Sequence, residues 1–248
     1  MRRYREAALA AAAGLALIAY AYLTPPLIDP ELVGRLPWIG DLPGDLPAYA
    51  LRFSCSFLLM GLLPLLLALA LGERPGGLGL RRPRPLRPRW AYPLLAFLVL
   101  AGVFLGAYSP ALFSYYPYSR TLALAWGGGG FAVHVLLYAV LYYLPWELLF
   151  RGILLFPLVR LADPRLYEAG PGPVTGIPLL LVILQAIVSA MLHFGHPFSE
   201  TLIALPFGIL LGWLALRTGS LLPGLALHAL AGIGQDLFIS LRLAGLLP

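Results

Sequence analysis

Along the chain, long apolar runs alternate with short segments rich in arginine, proline or glycine. A helix that crosses the hydrocarbon core of a bilayer needs about 20 apolar residues. Seven runs approach that length: about Ala7–Leu23, Ala48–Leu71, Tyr92–Tyr108, Phe131–Leu161, Ile177–Phe194, Thr201–Leu216 and Leu221–Leu246. The pattern predicts an all-α fold, a polytopic transmembrane helix bundle of about seven spans, with eight also admissible. The first run is expected to stop at Pro25-Pro26; Ala19-Tyr20-Ala21 has the form of a signal cleavage site, but a retained anchor is the favoured reading. Residues 1–130 read as N-terminal spans with an Arg/Pro-rich loop and 131–248 as the functional core of a single bundle.

Composition supports the membrane reading: 60% of the 248 residues are hydrophobic, 11% are charged, and the mean hydropathy is +0.85. A soluble enzyme, a DNA-binding domain, a coiled coil and a disordered segment are all disfavoured, because so little polar surface cannot cover a globule of this size. The net charge of +6 comes from 17 basic residues, all arginine, placed mostly between the runs. Arg2, Arg3 and Arg5 precede the first run, Arg74, Arg81, Arg82, Arg84, Arg87 and Arg89 lie between the second and third, and Arg160, Arg165 and Arg217 fall on the same side. The connection after the first run holds Asp29, Glu31, Asp41 and Asp45 against Arg35 alone. By the positive-inside rule the N-terminus is cytoplasmic, and no nucleic-acid partner is needed to explain the charge. The Gly72–Trp90 stretch reads as a solvated linker, with lipid-headgroup contact as its alternative, and Gly127–Gly130 as a flexible lead-in to the fourth run. Cys55 has no partner cysteine.

Ionisable side chains within hydrocarbon cost a few kcal/mol on insertion scales, so each must face the bundle interior or a wet cavity. They are Arg52, His134, Glu147, Arg151, His193, His196, Glu200, His228 and Asp236. Glu147 and Arg151, four apart, share a helix face and suit an ion pair. His193 and His196 are three apart and suit metal chelation, although Gly195 and Pro197 break their helix. His228 and Asp236, eight apart, face roughly the same way. At 1.5 Å per residue, Glu147, His193 and Asp236 fall at roughly 20–25 Å from the cytoplasmic ends of their spans and His228 at roughly 10 Å.

A carboxylate and two imidazoles converging from different helices can hold and deprotonate water, directly or through a divalent metal. Hydrolysis is the natural output. Glu147 is then the general base, His193 and His228 hold the water, a metal or the oxyanion, and Arg151 keeps the glutamate ionised, with Glu200 and Asp236 as supports. Ser189 lies one turn before His193, but no G-x-S-x-G elbow is present; HExxH, a phosphate-binding glycine loop and paired CxxC are absent as well.

The segment Pro145-Trp146-Glu147-Leu148-Leu149-Phe150-Arg151-Gly152 resembles the first motif, EExxxR with an FRG ending, of the CPBP intramembrane proteases, which include the type II CAAX prenyl endopeptidases and bacterial bacteriocin-processing or immunity proteins. His193, in H-F-G-x-P followed by Glu200, resembles the second-motif histidine, and His228, after Pro223-Gly224-Leu225-Ala226-Leu227, the third. Trp146 stands where the family has its first glutamate, so Glu147 matches the second, supporting one; Ser189 stands in place of a phenylalanine, and Gly232 in place of an asparagine that Asp236 is a candidate to replace. A bacterial subgroup with a single glutamate after tryptophan fits best. The resemblance implies an intramembrane endopeptidase of a bacterial cytoplasmic membrane acting on a membrane-embedded or prenylated-like peptide or protein, with zinc or another divalent metal at His193 and His228, or with no metal. A non-catalytic membrane protein on the same fold, with an immunity or scaffold role, is the alternative.

Overall fold

The computed structural model describes residues 2–126, 129–162 and 174–248; Gly127 and Gly128 of the expected lead-in, and Arg165, lie outside them. The seven apolar runs form seven long helices: α1 Arg2–Leu27, α2 Leu46–Ala70, α3 Ala91–Gly106, α4 Gly130–Ala162, α5 Gly176–Met191, α6 Phe198–Thr218 and α7 Leu222–Leu243. Among the described residues there are no strands, only an isolated bridge between Phe194 and His196. Five of these helices are long and apolar enough to cross a membrane; α3 and α5 have 16 residues each. At 1.5 Å per residue the two shorter ones reach about 24 Å, less than the hydrocarbon thickness of about 30 Å.

The surface is inverted relative to a soluble protein. Leu15, Leu66, Leu105, Leu136, Leu180 and Leu202 point outward, whereas Glu147, Arg151, His134 and Asp236 are buried. With no water in hydrocarbon to solvate charge, that arrangement is the stable one for an integral membrane protein.

Helix α4 is the axis of the bundle, packing against α1, α2, α5, α6 and α7. Its Trp146, Leu149, Phe150 and Ile153 form one core with Leu9 and Ala13 of α1, Met60 of α2 and Leu221. The helix is not uniform: wider π-helical turns at Tyr138–Tyr143 and Leu148–Leu155 flank Leu144–Glu147, which contains Pro145. Proline cannot donate an i→i−4 bond, and π turns are a common accommodation near functional groups. Gly61 of α2 lets Pro145 come close; a Cβ there would lie 3.1 Å from the proline ring.

Two boundaries differ from the pattern. Helix α1 continues through Pro25 and Pro26 to Leu27, so the two prolines fall in its last turn and the helix ends directly after them. Helix α5 stops at Met191 rather than Phe194, and Gly195, at φ +97°, turns the chain into α6.

The Gly72–Trp90 stretch is not a solvated linker. Leu78 and Leu86 are buried, Leu221 N–H donates to Gly79 O (3.1 Å), Arg84 N–H to Thr218 O (2.9 Å), Ser220 Oγ to Arg81 O (2.6 Å) and Arg81 Nε to Gly219 O (2.6 Å). Its backbone polar groups thus find partners in the α6–α7 turn instead of in water. Gly152 permits the crossing over α4, because a Cβ there would lie 2.8 Å from Leu78 O. Beside it, the Arg160 guanidinium donates to Glu6 at 2.7 Å, Glu73 at 3.0 Å and Gly77 O at 2.6 Å, and ties α1, this stretch and α4 together.

Removing one partner of such a cluster leaves buried charge uncompensated, at a cost of about 3–5 kcal/mol. Arg160→Ala is therefore expected to lower the thermal midpoint in detergent strongly, whereas Arg89→Ala, at an exposed site, changes it little; equal midpoints for the two variants contradict this.

Candidate active site

Glu147 is fully buried on α4, and one of its oxygens does two jobs: Oε1 accepts from His228 Nδ1 at 2.7 Å and pairs with Arg151 Nη1 at 3.1 Å. A carboxylate only accepts, so the His228 proton on that side is Nδ1–H and Nε2 is left unprotonated in the neutral ring. Gly224, one turn before His228, leaves room for the other oxygen; a Cβ there would lie 3.2 Å from Oε2. Three residues of the first and third motifs thus meet in one contact between α4 and α7.

His193 lies in the turn after α5, where its Nδ1 donates to Ser189 O at 3.1 Å and Thr201 Oγ1 donates to its carbonyl at 2.8 Å. Its Nε2 is likewise the nitrogen without a fixed partner. Trp146 joins the two histidines: its indole N–H donates to Ser189 Oγ at 3.3 Å, and its ring meets His193 and His228 edge-on, with centroids 5.7 and 6.2 Å away. The tryptophan that replaces a carboxylate in the motif is thus the wall that both imidazoles abut. Ser189, bound to it, serves as an anchor.

A cavity of about 560 Å³ opens in front of that wall, within the size range of small-ligand and peptide-side-chain sites. His193, His196, Glu200 and His228 line it together with Tyr116, Tyr143 and Trp146, and apolar residues of α3 and α6, among them Leu98, Val99, Ile203 and Phe207, form the rest. Glu147 lies behind Tyr143, Trp146 and His228, so Glu200 is the carboxylate in the cavity wall. Its Oε1 accepts from Tyr116 Oη at 2.8 Å and from His196 Nδ1 at 2.9 Å.

Asp236 belongs elsewhere. Its Oδ2 pairs with His134 Nε2 at 2.7 Å and accepts from Tyr118 N–H at 3.1 Å, and His134 Nδ1 meets Tyr49 Oη at 3.0 Å. The antiparallel pair α4 and α7 therefore has two polar rungs, Glu147 with His228 and His134 with Asp236. Counting 1.5 Å per residue from the span ends put Glu147 level with Asp236; α7 begins beside Gly152, near the middle of α4 and not at its end, so His228 is the residue level with Glu147. Arg52, the remaining intramembrane cation, donates from Nη1 to Tyr118 Oη at 2.7 Å.

Sequence reasoning missed Tyr143. A Cβ at Gly232 would collide with its hydroxyl, so the space four residues after His228, where the motif has asparagine, is filled by a phenol from α4, its ring 4.7 Å from that of His228. The signal was a pair: a glycine in place of a polar residue, and a tyrosine one turn before Glu147. Among the described residues, no group of three His, Cys, Asp or Glu side chains is placed to hold a metal ion.

The helical bundle thus carries a carboxylate–imidazole contact beside an apolar cavity. The family model for type II CAAX prenyl endopeptidase, Rce1-like, matches residues 128–233 of the chain. The match spans α4 to the middle of α7 and takes in Glu147, Arg151, His193, Glu200 and His228. Neither a curated protein nor a solved structure matches the chain.

Filling the space at Gly232 should be costly. Gly232→Ala must displace the Tyr143 ring, and overpacking of this kind costs about 1–3 kcal/mol; thermal unfolding in detergent is expected to show the loss, and an unchanged midpoint refutes the close contact.

Proposed function

We propose that the protein is an intramembrane endopeptidase that hydrolyses a peptide bond in a membrane-associated protein or peptide. The observation that carries this reading is the 2.7 Å contact of Glu147 with His228 Nδ1, which turns the other face of that imidazole to a cavity shared with His193. In this reading Glu147 works through His228. It fixes the ring and its tautomer and stabilises the imidazolium formed when Nε2 takes a proton from water, while Arg151 holds the carboxylate in place. His193, its Nδ1 committed to Ser189 O, orients the same water through Nε2. Hydroxide then adds to the carbonyl carbon of a peptide whose apolar side chains rest against α3 and α6. Asp236 acts at a distance by holding His134 and the Tyr118 backbone.

The tryptophan at position 146 and the H-F-G-x-P turn favour the bacterial single-glutamate subgroup. The contacts of Arg5 and Arg160 with Glu6 and Glu73 support a cytoplasmic N-terminus, since they bring together two arginines that the charge pattern assigns to that side. A membrane-embedded or prenylated-like peptide suits an apolar cavity between spans.

Glu147→Gln, His193→Ala and His228→Ala are each expected to lower peptide cleavage by purified protein in detergent about 100-fold or more, the range for loss of general acid–base assistance, while far-UV circular dichroism stays helical. Undiminished cleavage by all three variants overturns the reading. One observation favours a second reading, a non-catalytic immunity or scaffold role: Trp146 occupies the position of the first motif carboxylate. That reading predicts no cleavage by the unaltered protein on any membrane peptide.

A further inference from the structure

Peptide hydrolysis needs two proton transfers, one from the attacking water and one to the departing amine, because an amide anion is too basic to leave unprotonated. The Glu147–His228 pair accounts for the first. From the geometry we propose that His196, oriented by Glu200, is the general acid that protonates the leaving amine. This rests on the endopeptidase reading and extends it to a residue outside the three motif positions.

The second carboxylate–imidazole pair repeats the first. Glu200 Oε1 accepts from His196 Nδ1 at 2.9 Å, as Glu147 Oε1 does from His228 Nδ1 at 2.7 Å, and both histidines line the same cavity. Tyr116 Oη donates to the same Glu200 oxygen at 2.8 Å and fixes it from the opposite side, and the Tyr115 ring lies 4.9 Å from the imidazole. Nothing else among the described hydrogen bonds engages Nε2 of His196. His193 sits between the two pairs, its ring centroid 5.3 Å from that of His196. The turn makes this possible: Gly195 at φ +97° bends the backbone between residues that a continuous helix would carry on one face of α5. The turn seats them instead beside the cavity, with His196 N–H bonded to His193 O at 3.0 Å.

The step balances. Water gives one proton to His228 Nε2 and its oxygen bonds to the carbonyl carbon. Protonated His196 holds one proton on Nδ1 against Glu200 and carries the other on Nε2. As the carbon–nitrogen bond breaks, the electron pair stays on nitrogen and the Nε2 proton joins it. The products are a carboxylic acid and a free amine, with His228 protonated and His196 neutral; cavity water returns the proton from one to the other. Glu200 touches no reacting atom and is a positioning residue.

The leaving group separates this role from a structural one. The probe is a peptide that the full-length protein cleaves in micelles, taken from a library with apolar C-terminal halves and remade with a thioester at the scissile bond, whose thiolate departs without protonation. His196→Gln is expected to lower kcat for the amide about 100-fold or more and for the thioester less than about fivefold, and Glu200→Gln to show the same imbalance more weakly. His228→Gln is expected to lower both alike. Equal losses on amide and thioester in His196→Gln, or an amide rate left intact, overturn the proposal while the endopeptidase reading stands. An unaltered protein that cleaves no library peptide removes that reading and this inference together.

Discussion

A carboxylate buried beneath hydrocarbon must be neutralised or bonded, and the position of Glu147 follows from that cost. Taking an ion out of water costs several kcal/mol even after relaxation, and only close, well-oriented partners offset it. Arg151, one turn along the same helix, supplies opposite charge at 3.1 Å, and His228 supplies a donor from another helix at 2.7 Å. The first contact is local and needs no tertiary structure. The second fixes how α4 and α7 approach, and with it the orientation of an imidazole at the cavity wall. Stability and chemistry therefore draw on one interaction, and the acceptor that satisfies the histidine is the charge that would otherwise be most costly to bury.

Close approach is the other requirement, and the chain meets it by omitting side chains. Gly61 faces Pro145, Gly152 faces Leu78 O, Gly224 faces Glu147 and Gly232 faces Tyr143. Each sits where a polar group or a broken turn of α4 crosses a neighbour, in keeping with the preference for small residues where transmembrane helices touch. The wide turns of α4 stand at the same place: they flank the segment that carries Trp146 and Glu147, and Tyr143 ends the first of them.

The bundle was legible because apolar run length is a direct physical requirement of crossing lipid. All seven runs became helices, with ends shifted by a few residues where proline and glycine turned the chain. The grouping of Glu147, Arg151, His193 and His228 was legible too, since ionisable residues so sparse in apolar runs have few places to go. Relative depth was not: it depends on where each helix starts against its neighbour, and α7 starts beside Gly152, which exchanged His228 for Asp236 as the level partner of Glu147. The Gly72–Trp90 stretch misled for a different reason. Arginine and proline read as solvent-facing, but Leu78 and Leu86 are buried within it and its backbone bonds to the α6–α7 turn. Tyr143, Tyr116 and Tyr118 were invisible as site residues, because a tyrosine in an apolar run is ordinary until its hydroxyl is seen to fill a space.

Trp146 is the element that most changes how such a site must work. An indole can donate one hydrogen bond and accept none, so at position 146 it can neither hold a proton nor bind water through a lone pair. Its donor is spent on Ser189, and its faces and edges are spent on His193, His228 and Phe150. What it contributes is rigidity and dryness: a flat wall that excludes water from Glu147 and leaves the two imidazoles as the polar groups at that end of the cavity. In such surroundings each carboxylate is bonded to an imidazole, Glu147 behind His228 and Glu200, in the cavity wall, to His196. In the proposed mechanism, proton transfer passes through imidazole nitrogens held in fixed tautomers, and the acidic groups act by orientation and by charge.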